Sequence, residues 1–147
     1  MLAQIAIGSL LMMVTTFVHA GGTIAALEIL GKSHARSWGL STRLGRMGLI
    51  AGLVFFMFLV ALLEVSIWAA VFLMVGAISD LEPALYFSTV TFATLGYGDI
   101  TLNESWRLLG SFEAANGVIL FGWTTALIFT FVQRVAAHDQ RFAKSPS

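Results

Sequence analysis

The run Thr94-Leu95-Gly96-Tyr97-Gly98-Asp99 sets a glycine on either side of a tyrosine, and its chemistry lies in the backbone. Glycine reaches positive φ without a Cβ penalty, so Gly96 and Gly98 let successive peptide planes reverse while their carbonyls face one axis. A ring of such carbonyls replaces the water shell of a dehydrated cation. Backbone that is neither helix nor closed barrel survives at membrane depth only where protein buries it or where it lines a water-filled path. Ionisable side chains also stand inside apolar stretches: His19, Glu28, Glu64 and Glu113. Such groups are costly in hydrocarbon and turn toward protein or water.

The surrounding sequence is that of a membrane protein. Of 147 residues, 58% are hydrophobic and 11% charged, and the mean hydropathy is +0.88. A soluble globular domain does not have this balance. About 20 apolar residues carry a helix across the hydrocarbon core, and the stretches 2–30, 46–78 and 106–135 are each long enough. The expected fold class is therefore an all-α membrane protein with three transmembrane helices. Between the second and third stretches, Ser79-Asp80-Leu81-Glu82-Pro83 reads as a helix start, with Pro83 in the first turn and Asp80 or Ser79 as cap. The helix predicted over 83–93 is roughly eleven residues, about 16 Å, too short to span. It is expected to be re-entrant, turning back at Gly96-Tyr97-Gly98, with 100–105 returning to the surface. The domain organisation expected is an N-terminal helix with a basic linker (1–45), a pore domain of outer helix, pore helix, filter and inner helix (46–135), and a short tail (136–147). The first apolar stretch follows Met1 with no Lys or Arg ahead of it and outruns a signal-peptide core, so no cleaved leader is expected.

Charge placement orients the chain. Lys32, Arg36, Arg43 and Arg46 fall beside the linker, and Arg134, Arg141 and Lys144 near the C-terminus, with Arg107 opposite. Basic loops stay cytoplasmic. The expectation is a plasma (inner) membrane protein with the C-terminus cytoplasmic and the N-terminus outside, together with the loop bearing Asp80, Glu82, Asp99 and Glu104. Trp38 and Trp106 fall at interfacial depth. A net charge of zero argues against nucleic acid as partner, and the absence of cysteine excludes a thiolate metal site. No nucleotide site, catalytic constellation or cofactor is visible, so an enzyme is not expected.

Over residues 84–134 the sequence resembles the potassium-channel pore family. Ala84-Leu85-Tyr86-Phe87-Ser88-Thr89-Val90-Thr91 leads into the Thr-x-Gly-Tyr-Gly-Asp filter, and a spanning helix follows. The resemblance implies passive, potassium-selective permeation. One loop per chain implies a homotetramer, so the partners expected are K+, the lipid bilayer and further copies of this chain. It further implies that the backbone carbonyls of Thr94, Leu95, Gly96 and Tyr97 coordinate K+, with the Thr94 hydroxyl closing the innermost site. K+ is then the only metal at this site. Gly98 is conformational, Asp99 sits at the outer mouth, and the Tyr97 ring packs on Tyr86 and Phe87. This sequence departs from the family at Leu95, where Val or Ile is usual, and at Val90, where some bacterial members carry a Glu behind the filter.

In the third apolar stretch Gly117 matches the family's hinge glycine and Gly122 a second small residue, although glycines also serve close helix packing. Thr125 and Phe129 recur at helical spacing and are expected to line the cavity or its cytoplasmic exit, with lipid or the second helix as the alternative. Asn116 is expected at cavity depth. Glu64 and Glu113 are expected either to support the pore helix or filter, in place of the Glu absent at Val90, or to make interhelical contacts that serve assembly. Glu28 lies one turn from Lys32. Gly21, Gly22, Ala25 and Ala26 offer the first helix a small-residue face.

Gating is not legible. The first helix lacks the regularly spaced Arg of a voltage sensor. The tail of about a dozen residues is expected to hold no ligand-binding domain, which leaves lipid, tension, pH or a separate regulatory protein. Three alternatives stand beside the selective channel: a weakly selective cation channel, a non-conducting membrane partner that keeps the loop for assembly, and a haem or metal protein built on His19. The last lacks a second ligand at suitable spacing.

Overall fold

The structure, a computed structural model, describes the backbone of residues 1–35 and 42–143 and the side chains of 1–31 and 42–136. The expectations for Trp38, for the Glu28–Lys32 pair and for the basic residues 36, 141 and 144 fall outside the described side chains. The element order is α1 (Leu2–Ala35), α2 (Arg43–Met74), α3 (Leu81–Phe92) and α4 (Arg107–Ala143), and no strand occurs among the described residues. The portions Leu2–Gly31, Arg43–Met74 and Arg107–Ala136 are long and apolar enough to cross a membrane. The protein is an all-helical integral membrane protein.

Helix ends differ from those predicted, for local reasons. Helix α2 starts three residues early because Thr42 caps it, its hydroxyl accepting from the Gly45 amide at 3.1 Å. It stops at Met74 rather than near Ile78. There Gly76 takes φ +69 while the Ala77 and Gly76 amides donate to the Phe72 and Leu73 carbonyls, at 2.9 and 3.1 Å. A glycine in this conformation closes a helix by satisfying its last acceptors. Asp80 occupies the α3 cap position, yet its carboxylate accepts from the Ser79 hydroxyl, 2.7 Å away, and not from a helix amide. Helix α4 continues beyond 135 into the segment expected to be tail, because no glycine or proline stands between Gly122 and Pro146.

Helix α1 packs on α2 and α4 but not on α3, which is held between α2 and α4. Two apolar clusters result. One joins Leu11, Val65, Trp68, Phe72, Phe92, Leu109 and Leu120 from all the helices; the other joins Ala26, Leu53, Met57 and Val60, with Leu127, Ile128 and Phe131 against them. Gly8 and Gly22 let α1 approach closely, since a Cβ at either would press on Phe112 or Val60 at 2.7 Å. Of the predicted small-residue face, Gly22 and Ala26 turn inward, whereas Gly21 faces open space. Lipid tails are as apolar as leucine, so packing of this kind and interhelical hydrogen bonds, at about 0.6 kcal/mol each on average, hold such helices together.

Candidate functional site

The chain leaves α3 in an unusual conformation. The amides of Leu95 and Thr94 donate to the carbonyls of Val90 and Thr91, both at 2.9 Å, a double hydrogen-bonded cap of the kind that glycine normally closes. Here the left-handed position is Thr94, at φ +59, the only non-glycine residue with positive φ among those described. A β-branched residue in this region is a true outlier, and strain of about 1–3 kcal/mol persists at functional sites where the surroundings over-determine it. Positive φ then recurs at every second residue, Gly96 at +57 and Gly98 at +79. The handedness therefore alternates along Thr94–Asp99, which reverses successive peptide planes.

Asp99 ties the loop back to the helix. The Tyr86 hydroxyl donates to Asp99 Oδ2 at 2.7 Å. This bond holds the Asp99 carboxyl below its ordinary range and raises the Tyr86 phenol, and for each group it is the largest cause. Between loop and helix lies a cavity of about 220 Å³, with Val90 on the helix wall and Gly96, Gly98 and Asp99 on the other. No carboxyl is needed at Val90 to reach Asp99, because a phenol one turn earlier on α3 does so. Because α3 ends at Phe92, its C-terminal negative partial charge falls beside Thr94 and Leu95.

The sign of the pH dependence follows from the two shifts. The lowered Asp99 pKa adds stability that is present above the ordinary carboxylate range and lost as pH falls through the lowered value. The raised Tyr86 pKa adds stability that is present below about pH 10 and lost as pH rises through the raised value. Amide exchange of residues 96–101, corrected for its intrinsic pH dependence, is expected to stay flat from about pH 5 to about pH 9. Tyr86→Phe should raise it several-fold across that range. Unchanged exchange in this variant would show that the bond does not order the loop.

Around the loop, some predicted residues gather and others do not. Phe87 stacks edge-on against Phe72, with ring centroids 5.2 Å apart, and Tyr97 is 67% exposed within the chain. Within the single chain Tyr86 is bonded to Asp99 and Phe87 meets Phe72, and the Tyr97 ring is left largely open. Glu113 is buried and hydrogen-bonded to the Ser88 hydroxyl of α3, and Ser88 Oγ also lies 2.8 Å from the Val65 carbonyl of α2. Glu64 makes no hydrogen bond to α3; its Oε1 lies 3.0 Å from His19 Nδ1 of α1 and its other oxygen has no partner among the described residues. The expectation of Asn116 at cavity depth is corrected. The residue is 1% exposed and donates to Thr15 Oγ1 at 2.6 Å, so it faces α1 rather than a cavity. Gly117 is buried against α3, while Gly122, Thr125 and Phe129 are exposed.

His19 is more connected than a lone histidine suggests. Its Nε2 lies 3.2 Å from Thr124 Oγ1, and its ring meets Trp123 edge-on at 5.4 Å. Among the described residues, no three His, Asp or Glu side chains come together as a metal site. Ser88, Thr15, Thr124 and Gln4, whose Oε1 accepts from the Leu108 amide at 3.2 Å, were not singled out from the sequence. One signal was present: Gln4, Thr15, His19 and Thr23 share the buried face of α1.

A family model described as an ion channel matches residues 60–134, just over half of the chain, from mid-α2 through α3 and the loop to α4. The chain belongs to this ion-channel family. No curated protein and no solved structure matched it. The channel's matched part contains the alternating loop, α3 and parts of both helices that hold it, whereas α1 lies outside it.

Proposed function

We propose that the channel is potassium-selective and works as a homotetramer in which α3 and the Thr94–Asp99 loop re-enter the membrane from the outer side. The observation that carries this reading is the alternation of positive φ at Thr94, Gly96 and Gly98, directly after a helix too short to span. Reversed peptide planes bring successive carbonyls to one side of the strand, as a file of dehydrated cations requires. The carbonyls of Thr94, Leu95, Gly96 and Tyr97 take the ion, the Thr94 hydroxyl closes the inner end, Gly98 allows the turn, and Asp99, tied to Tyr86, forms the outer mouth.

One loop supplies one wall, so four chains enclose the axis. Exposure supports this: Leu95 and Tyr97 are 54% and 67% exposed, and Phe121 and Phe129 lie open on α4. In the tetramer the Tyr97 ring packs on a neighbouring subunit, and Thr125 and Phe129 line the path below the filter. The Ser88–Glu113 bond holds α3 to α4 from behind and stands where the Val90 position offers no carboxyl. The basic linker and C-terminal residues support a cytoplasmic C-terminus.

Purified protein in planar bilayers, with potassium on one side and sodium on the other, tests the reading. The reversal potential is expected to lie close to the potassium equilibrium value. A reversal near zero would leave a weakly selective cation channel, and absence of current in either cation would leave a non-conducting partner.

A further inference from the structure

Helix α1 grips α4 at successive points along its length. Near the start of α4, Gln4 Oε1 accepts from the Leu108 amide at 3.2 Å. Further along, Thr15 Oγ1 accepts from Asn116 Nδ2 at 2.6 Å, and the Thr15 hydroxyl is itself fixed to the Leu11 carbonyl at 2.9 Å. Beyond that, His19 Nε2 meets Thr124 Oγ1 at 3.2 Å. Both glycines of mid-α4, Gly117 and Gly122, lie between the second and third grips.

The third grip differs from the others in how it is anchored. The imidazole is held from its far side by Glu64 of α2, Nδ1 to Oε1 at 3.0 Å, and is 1% exposed. It therefore cannot follow α4 if the end of that helix swings. The other oxygen of Glu64 has no hydrogen-bond partner among the described residues. A buried carboxyl oxygen left unpaired is destabilising, so stability alone is a poor reason for placing Glu64 there. Thr124 adjoins Thr125, and Phe129 follows little more than one turn later, both exposed on the face assigned to the conduction path.

We propose that α1 is a brace laid across the bend region of α4, and that His19, clamped by Glu64, is the positioning residue that sets the balance between the channel's open and closed states through Thr124. The proposal rests on the reading that α4 lines the pore. If α4 bends at Gly117 or Gly122, the Gln4 and Asn116 grips on the filter side stay intact while the His19–Thr124 contact breaks. The contact is thus made in one state and lost in the other, in every subunit. A ligand or bond changes an equilibrium only by what differs between its states, and this bond differs. The helix outside the matched family segment thereby acquires a task in the conduction cycle.

Single-channel recording in planar bilayers tests the brace. Thr124→Val removes the hydroxyl at nearly constant shape and is expected to shift the open-to-closed ratio at least about fivefold, the scale of one buried hydrogen bond. His19→Ala should shift it in the same direction, and the Thr124→Val effect should vanish in the His19→Ala background, because the two substitutions remove one interaction. Unitary conductance should not change. Gln4→Ala, on the other side of the glycines, should lower the melting temperature and leave the ratio alone. If Thr124→Val leaves the ratio unchanged, or acts equally with and without His19, the brace is wrong. Should His19→Ala fail to fold, Thr124→Val against Gln4→Ala still decides. The reversal potential recorded in the same bilayers reports separately on the filter, so loss of selectivity and failure of the brace cannot be confused.

Discussion

Gly96→Ala is expected to abolish selective potassium conduction while leaving the assembled protein intact. Gly96 sits at φ +57, and a Cβ there finds no atom within 4 Å in the chain, so the penalty is one of backbone conformation rather than of space. An L-residue in the left-handed region costs about 1–2 kcal/mol, and Thr94 two residues earlier already bears such a cost. Four subunits would together add about 4–8 kcal/mol to one filter, enough to favour a rotated peptide plane over the conducting arrangement. The added methyl meets no helix within the chain, so size-exclusion behaviour and helical content should match the parent. In liposomes the potassium flux should fall to background. Leu95→Val is the control: Leu95 is not among the positive-φ residues, and only its carbonyl is assigned to the ion, so selectivity should persist. Parent-like flux and reversal potential in Gly96→Ala would remove the alternating backbone as the basis of conduction.

The helices were legible because hydrocarbon thickness imposes a length, and apolar runs of that length announce themselves. Their ends were less so. Gly76 closes α2 four residues before the apolar run stops, since a left-handed glycine cap overrides hydrophobicity that would carry the helix further. The Thr94–Asp99 loop was legible as a motif, with its glycines and preceding helix. Its fastening was not: Tyr86 and Asp99 are 13 residues apart and belong to a helix and a loop whose spatial relation no periodicity encodes.

The polar interior shows the same limit more sharply. An ionisable residue in an apolar helix signals that a partner exists but not which one. His19 and Glu64 are 45 positions apart, Thr15 and Asn116 are 101, and His19 and Thr124 are 105. Asn116 looked like a cavity residue because its position along α4 suits one. The rotation of α4 is set by Gly117, which turns the adjoining face toward α3 and leaves Asn116 toward α1. Small residues fix such rotations in membranes, where apolar burial gives no preference between lipid and protein.

Gly117→Ala is accordingly expected to cost more than any other glycine substitution in the described helices. A Cβ at Gly117 would overlap the carbonyl oxygen of Phe92 and lie 2.9 Å from its carbon and 3.2 Å from its Cα. These are backbone atoms at the last turn of α3, and they cannot swing aside as the side chains facing Gly8 and Gly22 can. Helix α4 must back away, although one turn earlier its Glu113 is bonded to Ser88 of α3. Overpacking of this kind typically costs about 1–3 kcal/mol, and here the strain falls two residues before Thr94. A lowered melting temperature and weakened potassium selectivity should appear together. Gly122→Ala separates this contact from mere flexibility, because a Cβ at Gly122 meets nothing within 4 Å in the chain. If Gly117 served only as a hinge, both alanine variants would alter the open-to-closed ratio and neither would lower the melting temperature. The contact requires that Gly117→Ala alone lose thermal stability and selectivity, since only there does the backbone of α4 close directly on the end of α3, where the Thr94–Asp99 loop begins.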